Sequence, residues 1–137
     1  VKQKWDLVII DVPPTLTLLT VNALIAANDV LVPIAAEPLA LAGVGQLHAT
    51  LDLLFKQTGH RHESVTTWLT RYDARKRVCR DILANLQETG VWPLCKTVIR
   101  ESVKLIEAPS HGQDIFAYAP GTRGAEDYLE LEKEIFG

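Results

Sequence analysis

Short, unbroken apolar runs alternate along this chain with longer segments of helical spacing. Leu7-Val8-Ile9-Ile10 is the first run. It is aliphatic and β-branched, which suits a strand buried on both faces of a parallel sheet. The run ends in Asp11 and is followed by Val12, Pro13 and Pro14. Prolines cannot continue a sheet ladder, so a central strand is predicted whose C-terminal tip carries Asp11. A Leu- and Ala-rich segment, 18–27, predicts a short helix broken by Asn28-Asp29. Val30-Leu31-Val32-Pro33-Ile34 predicts a second buried strand with Pro33 at its end. A helix is predicted over 41–58, where Leu47, Leu51, Leu54 and Phe55 share one face.

A third strand is predicted over 65–70, followed by the loop Arg71-Tyr72-Asp73-Ala74. A helix over 75–89 carries Val78, Ile82, Leu83 and Leu86 on one face, with Gly90 as its stop. A weaker strand over 92–99, a helical turn over 101–107, a loop over 111–120 and a helix over 121–136 complete the pattern. Strands alternating with helices predict βαβ units, so the expected class is α/β with a mostly parallel sheet flanked by helices.

The length of 137 residues suits one domain, 1–137, with a real core. Hydrophobic residues make up 47% and charged residues 23%, which excludes an intrinsically disordered chain. A net charge of −3 gives no global pull toward nucleic acid or membrane, so such binding needs a local patch. No apolar run approaches the ~20 residues of a membrane span, and the opening residues lack a signal-peptide pattern. Cys79 and Cys95 form no CxxC pair and match no metal-ligand spacing, so two reduced thiols are expected. Met is absent, and the chain opens a few residues before the first predicted strand, which reads as a fragment.

In open α/β sheets, ligands bind at the C-terminal edge of the strands. A lone carboxylate there suits water-mediated Mg²⁺ binding beside a nucleotide; a strand-end Asp that caps the next helix is the alternative. Arg75, Lys76, Arg77 and Arg80 form a positive cluster in an acidic chain, and Arg100 and Lys104 add two charges. Such cations neutralise phosphates without reading bases; alternatively they form a solvated face balanced by Asp73, Asp81 and Glu101. The closing helix carries Glu126, Asp127, Glu130, Glu132 and Glu134 against Lys133, which argues against a basic membrane-targeting tail.

Several strings together resemble the C-terminal part of ParA/Soj-type partition ATPases. They are Asp6-Leu7-Val8-Ile9-Ile10-Asp11-Val12-Pro13-Pro14, the segment 18–24, Val32-Pro33 with Glu37, and 69–75. The most specific is 98–112, Val-Ile-Arg-Glu-Ser-Val-Lys-Leu-Ile-Glu-Ala-Pro-Ser-His-Gly, with Tyr118-Ala119-Pro120 and Arg123-Gly124-Ala125-Glu126 behind it. The likeness covers nearly the whole chain and extends more distantly to MinD.

The resemblance implies a partial P-loop NTPase (Rossmann-like) domain and an ATP-dependent switch that segregates plasmids or chromosomes in the cytoplasm, on the nucleoid. It implies ATP and Mg²⁺ as cofactors in a full-length parent, an ATP-dependent homodimer, non-specific DNA and a ParB-like partner protein, with no membrane. Asp11 matches the Walker-B aspartate, which holds Mg²⁺ through water. Val12, Pro13 and Pro14 match a switch loop that senses the γ-phosphate. Arg71 and Tyr72 lie in a loop beside the base in related folds, and Pro109 matches a second; a surface arginine and a plain helix stop are the alternatives. Arg100 and Lys104 match basic DNA-contacting positions, with Arg75 and Arg80 as neighbours.

The family's glycine-rich phosphate loop has no counterpart. Lys2-Gln3-Lys4 holds no glycine, and Gly43-Val44-Gly45 falls inside a helical pattern. Rival readings are a non-enzymatic dimerisation or DNA-binding module, a receiver domain, and a metabolic or cluster-carrying ATPase of the same superfamily. The receiver lacks room for its earlier acidic pair, and the cluster carrier would need a bridging cysteine pair. With strand faces uncovered, the isolated chain is expected to aggregate. Alone it is expected neither to hold ATP tightly nor to hydrolyse it; a phosphate-release assay on the 137-residue chain should read background, and Mg²⁺-dependent turnover would refute this.

Overall fold

A computed structural model describes residues 4–13, 15 and 17–137. Pro14, part of the expected switch loop, lies outside the described residues. The elements run α1 (Leu18–Ala26), β1 (Asp29–Ala35), α2 (Ala40–Thr58), β2 (Ser64–Thr70), α3 (Arg77–Thr89), α4 (Val103–Glu107), α5 (Ile115–Tyr118) and α6 (Arg123–Phe136). The class is α/β, with a parallel pair of strands flanked by helices, as the alternating pattern predicts.

β1 and β2 pair in parallel from Asp29 opposite Ser64 to Ala35 opposite Thr70. β-branched and aliphatic side chains dominate both strands and pack well on a pleated surface. One sheet face carries Ile34 and Leu69, which meet Val44 of α2 and Cys79, Ile82 and Leu86 of α3. Leu69 is fully buried, at 0% exposure. A second cluster joins Leu24 of α1, Val30 of β1 and Leu54 of α2. A third joins Cys95 and Ile99 to Leu131 of α6, with Trp68 packed against them. Cys79 and Cys95 are both buried and unbridged.

Local chemistry sets the helix ends. The Thr20 backbone N–H donates to Thr17 Oγ1 at 3.4 Å, capping α1, and the Thr20 hydroxyl donates to the Thr15 carbonyl at 2.8 Å. Gly90 stops α3 at φ 57°, a left-handed conformation that glycine adopts without a Cβ clash. At the other end of the strands, the α2–β2 turn clasps the start of β1. His62 Nε2 meets the Leu24 carbonyl at 2.8 Å, and the Glu63 N–H donates to the Asn28 carbonyl at 2.7 Å.

Four expectations need correction. Leu7–Ile10 is not a strand: the run is irregular, and Leu7, Val8, Ile9 and Ile10 are 57, 48, 73 and 48% exposed. A strand needs a hydrogen-bonding neighbour, and no described residue lies alongside this run to supply one. Pro33 lies inside β1, opposite Trp68, rather than at its end. The Ala36 N–H donates to Thr70, so in the alternating ladder 30, 32 and 34 face β2 and Pro33 faces the other edge. Its missing donor therefore costs the pairing nothing.

The weaker strand over 92–99 is a broken third run beside β2. Isolated bridges join Thr67 with Leu94 and Tyr72 with Arg100, and the Ile99 N–H donates to the Leu69 carbonyl at 2.8 Å. Finally, 111–120 is not all loop. A 3-10 turn spans Ala108–His111, and α5 follows where the Asp114 side chain accepts the Ala117 N–H at 2.8 Å. No helix among the described residues is long and apolar enough to cross a membrane.

Because Leu69 is buried against two helices, Leu69→Ala should cost about 2–5 kcal/mol of stability, read as a lower denaturant midpoint at unchanged slope. A loss well under 1 kcal/mol would show that the sheet–helix core does not hold the fold together.

Candidate functional site at the strand tips

Parallel strands put all their C-terminal ends on one side. Three tips meet there: Ala35 to Glu37 after β1, Arg71 to Asp73 after β2, and Arg100-Glu101 at the end of the third run. The Tyr72 N–H donates to Ile99 and the Glu101 N–H donates to Tyr72, at 3.1 and 3.0 Å, which lock the last two tips together.

Arg71 holds a left-handed backbone at φ 55°. That conformation is unfavourable for a side chain with a Cβ, and such strain concentrates at functional positions. Its guanidinium reaches the Glu37 carboxylate at 2.8 Å, with both side chains more than half exposed. Behind it Asp73 shapes the turn. Its carboxylate accepts the Arg75 backbone N–H at 3.0 Å and the Arg75 guanidinium at 3.0 and 2.8 Å. These bonds hold the Asp73 carboxyl down at about 2, against an ordinary 3.8.

Arg100 is bound differently. Its backbone N–H donates to Asp127 at 2.9 Å, and its Nε donates to both oxygens of the same carboxylate at 3.0 Å. The Asp127 side chain is only 4% exposed, whereas that of Arg100 is 42% exposed. Two turns along the same helix, Glu134 accepts the Lys96 and Thr97 N–H groups at 2.6 and 2.9 Å. Burial pushes the Glu134 carboxyl up, but these bonds together outweigh it and hold it below its usual range. α6 thus grips the third run at both ends.

Lys104 pairs with Glu107 at 2.9 Å, and the Tyr118 hydroxyl donates to the same carboxylate at 3.0 Å. Lys76 pairs with Glu101 at 2.6 Å and Arg77 with Asp81 at 3.5 Å. Arg80 donates to the Ala74 carbonyl at 2.6 Å and has no ion pair among the described residues.

Of the residues singled out by sequence, the structure therefore brings Arg71, Tyr72, Arg75 and Arg100 to one edge. Asp11, Val12 and Pro13 are exposed, and no described hydrogen bond or ion pair links Asp11 to the strand tips. Pro109 lies in the 3-10 turn beyond α4. Asp127 and Glu107 were not singled out. The Lys104–Glu107 spacing of three was a readable signal for one; nothing in the sequence marked Asp127 among its acidic neighbours.

No group of three metal-ligating side chains converges among the described residues. They provide one edge, with an exposed arginine and a tyrosine at its strand tips.

A model of the family described as an AAA domain matches residues 1–64. The chain is 42% identical over 135 residues to the sporulation initiation inhibitor protein Soj of Bacillus subtilis, covering 98% of this chain and 53% of that protein. It is 40% identical over 133 residues to the chromosome-partitioning ATPase Soj of Thermus thermophilus, covering 97% and 53%. It is 34% identical over 132 residues to the chromosome partitioning protein ParA of Myxococcus xanthus, covering 96% and 47%. Over nearly its whole length the chain is similar to proteins of the ParA/Soj family. It spans about half the length of the curated relatives it matches.

The low value at Asp73 has a pH signature. A carboxyl held below its unfolded value stabilises fully above pH ~4 and loses that contribution as pH falls through about 2. Asp73→Asn should therefore lower the denaturant midpoint near neutral pH, and the gap from the unsubstituted chain should close toward pH ~2. A gap that stays constant over that range would mean the Arg75 pair contributes nothing.

Proposed function

We propose that this chain is the C-terminal portion of a partition ATPase, whose ATP hydrolysis times the movement of DNA rather than serving metabolism. The observation that carries this is the strand-tip edge, with Arg71 in a strained backbone and Arg100 clamped by Asp127, in a chain similar to proteins of the ParA/Soj family. In the full-length protein Asp11 would hold Mg²⁺ through water, and Val12, Pro13 and Pro14 would respond to the γ-phosphate of the bound nucleotide. Arg71, Tyr72 and Pro109 lie toward the base. The dimer formed with ATP binds DNA non-specifically through Arg75, Arg80, Arg100 and Lys104. A ParB-like protein releases it, and the protein works in the cytoplasm on the nucleoid.

The structure bears on how the DNA role is tested. Arg100→Glu would set a second carboxylate against buried Asp127 and threaten the fold. Arg80 and Lys104 are the cleaner positions, since their side chains lie on the surface. In the full-length protein with ATP and Mg²⁺, Arg80→Glu with Lys104→Glu should weaken binding to mixed-sequence duplex DNA at least ~10-fold and flatten its salt dependence. Unchanged, salt-insensitive binding would refute the assignment of these residues.

A further inference from the structure

Four paired cations on or beside the proposed DNA face, Arg75 with its neighbour Lys76, Arg100 and Lys104, fall into two kinds by the burial of their partners. Asp73 and Asp127 have side chains 13% and 4% exposed and accept backbone N–H groups as well as guanidinium donors. Those two carboxylates build the fold and stay where they are. Glu101 and Glu107 are each 39% exposed, and their cations Lys76 and Lys104 are 50 and 51% exposed. Among the described residues, neither accepts a backbone N–H. Exposed pairs of this kind contribute only about 0.2–1 kcal/mol, and a phosphate competes readily for the lysine.

We propose that Glu101 and Glu107 are displaceable counter-charges that hold Lys76 and Lys104 away from DNA in the unbound protein, so that they set its affinity. This deepens the DNA-binding reading above and rests on it. Lys76 lies just before α3 and Lys104 in α4. The Lys76–Glu101 pair ties the loop after β2 to the end of the third run, next to Arg100, and the Lys104–Glu107 pair follows a few residues later. A duplex backbone presents phosphates in a row, and each can engage a lysine once it leaves its glutamate. Glu101 and Glu107 remain nearby after the exchange and repel the phosphates, so neutralising either should tighten binding.

The test measures fluorescence anisotropy of a labelled mixed-sequence duplex with the full-length protein, ATP and Mg²⁺, over a salt series. Glu101→Gln and Glu107→Gln should each tighten Kd about 1.5- to 5-fold, the two together about 10-fold, with a steeper salt slope. Glutamine keeps an acceptor for the Tyr118 hydroxyl, so Glu107→Gln spares that contact. Glu88→Gln removes the same net charge from the far end of α3, ~16 Å along the helix from Arg77, and should leave Kd unchanged. Adding Lys104→Gln to Glu107→Gln should abolish the gain. If DNA binds but Glu101→Gln and Glu107→Gln leave Kd unchanged, or Glu88→Gln matches them, the counter-charge role is overturned while the DNA reading stands. If neither the unsubstituted protein nor any variant binds DNA, the DNA reading fails and this inference with it.

Discussion

Parallel pairing is the constraint on which the rest depends. β1 and β2 run the same way and in register, and the third run follows β2 through the Leu69 and Tyr72 backbone bonds. Every strand therefore ends on one side, and the residues just past those ends meet whatever their distance in sequence. Arg71 finds Glu37, and Lys76 finds Glu101, for this reason alone. The helices supply the burial that holds the strands in place, chiefly through Ile34 and Leu69 against α2 and α3.

The charge arrangement follows from that geometry. Nearly every cation the sequence offers to a polyanion is already engaged with a carboxylate. The engagements differ in kind, because burial decides how much a pair resists competition. Around Asp127 water is excluded, several donors converge, and the guanidinium has no better partner. Around Glu107 the lysine is half in solvent, and the pair is one arrangement among several of similar free energy. A surface that is close to neutral at rest thus carries latent positive charge.

The alternation of strand and helix was legible because β1, β2, α2 and α3 each bury a face whose period appears in the residues themselves. The stop of α3 at Gly90 followed from glycine's freedom to take the left-handed cap. Leu7–Ile10 shows where that reasoning stops. Apolarity says that a run favours burial, but the strand it needs beside it is a matter of the surrounding chain. The third run was read as a weak strand, and its ladder is indeed broken between Cys95 and Ile99. At the site, the basic cluster and the loop at Arg71 were visible by composition. The left-handed backbone of Arg71 and the Arg100–Asp127 clamp were not, because both depend on tertiary neighbours.

Pro33 lies midway along the edge of β1 that points away from β2. A chain segment laid against that edge finds carbonyl acceptors along it, but at Pro33 one N–H rung is missing. A newcomer is therefore anchored by the N–H groups of Leu31 and Ala35 on either side, and a slip of two residues brings a different acceptor to the gap. The imino acid acts as a register mark on an otherwise repetitive edge, and it disfavours indiscriminate sheet extension by stray strands.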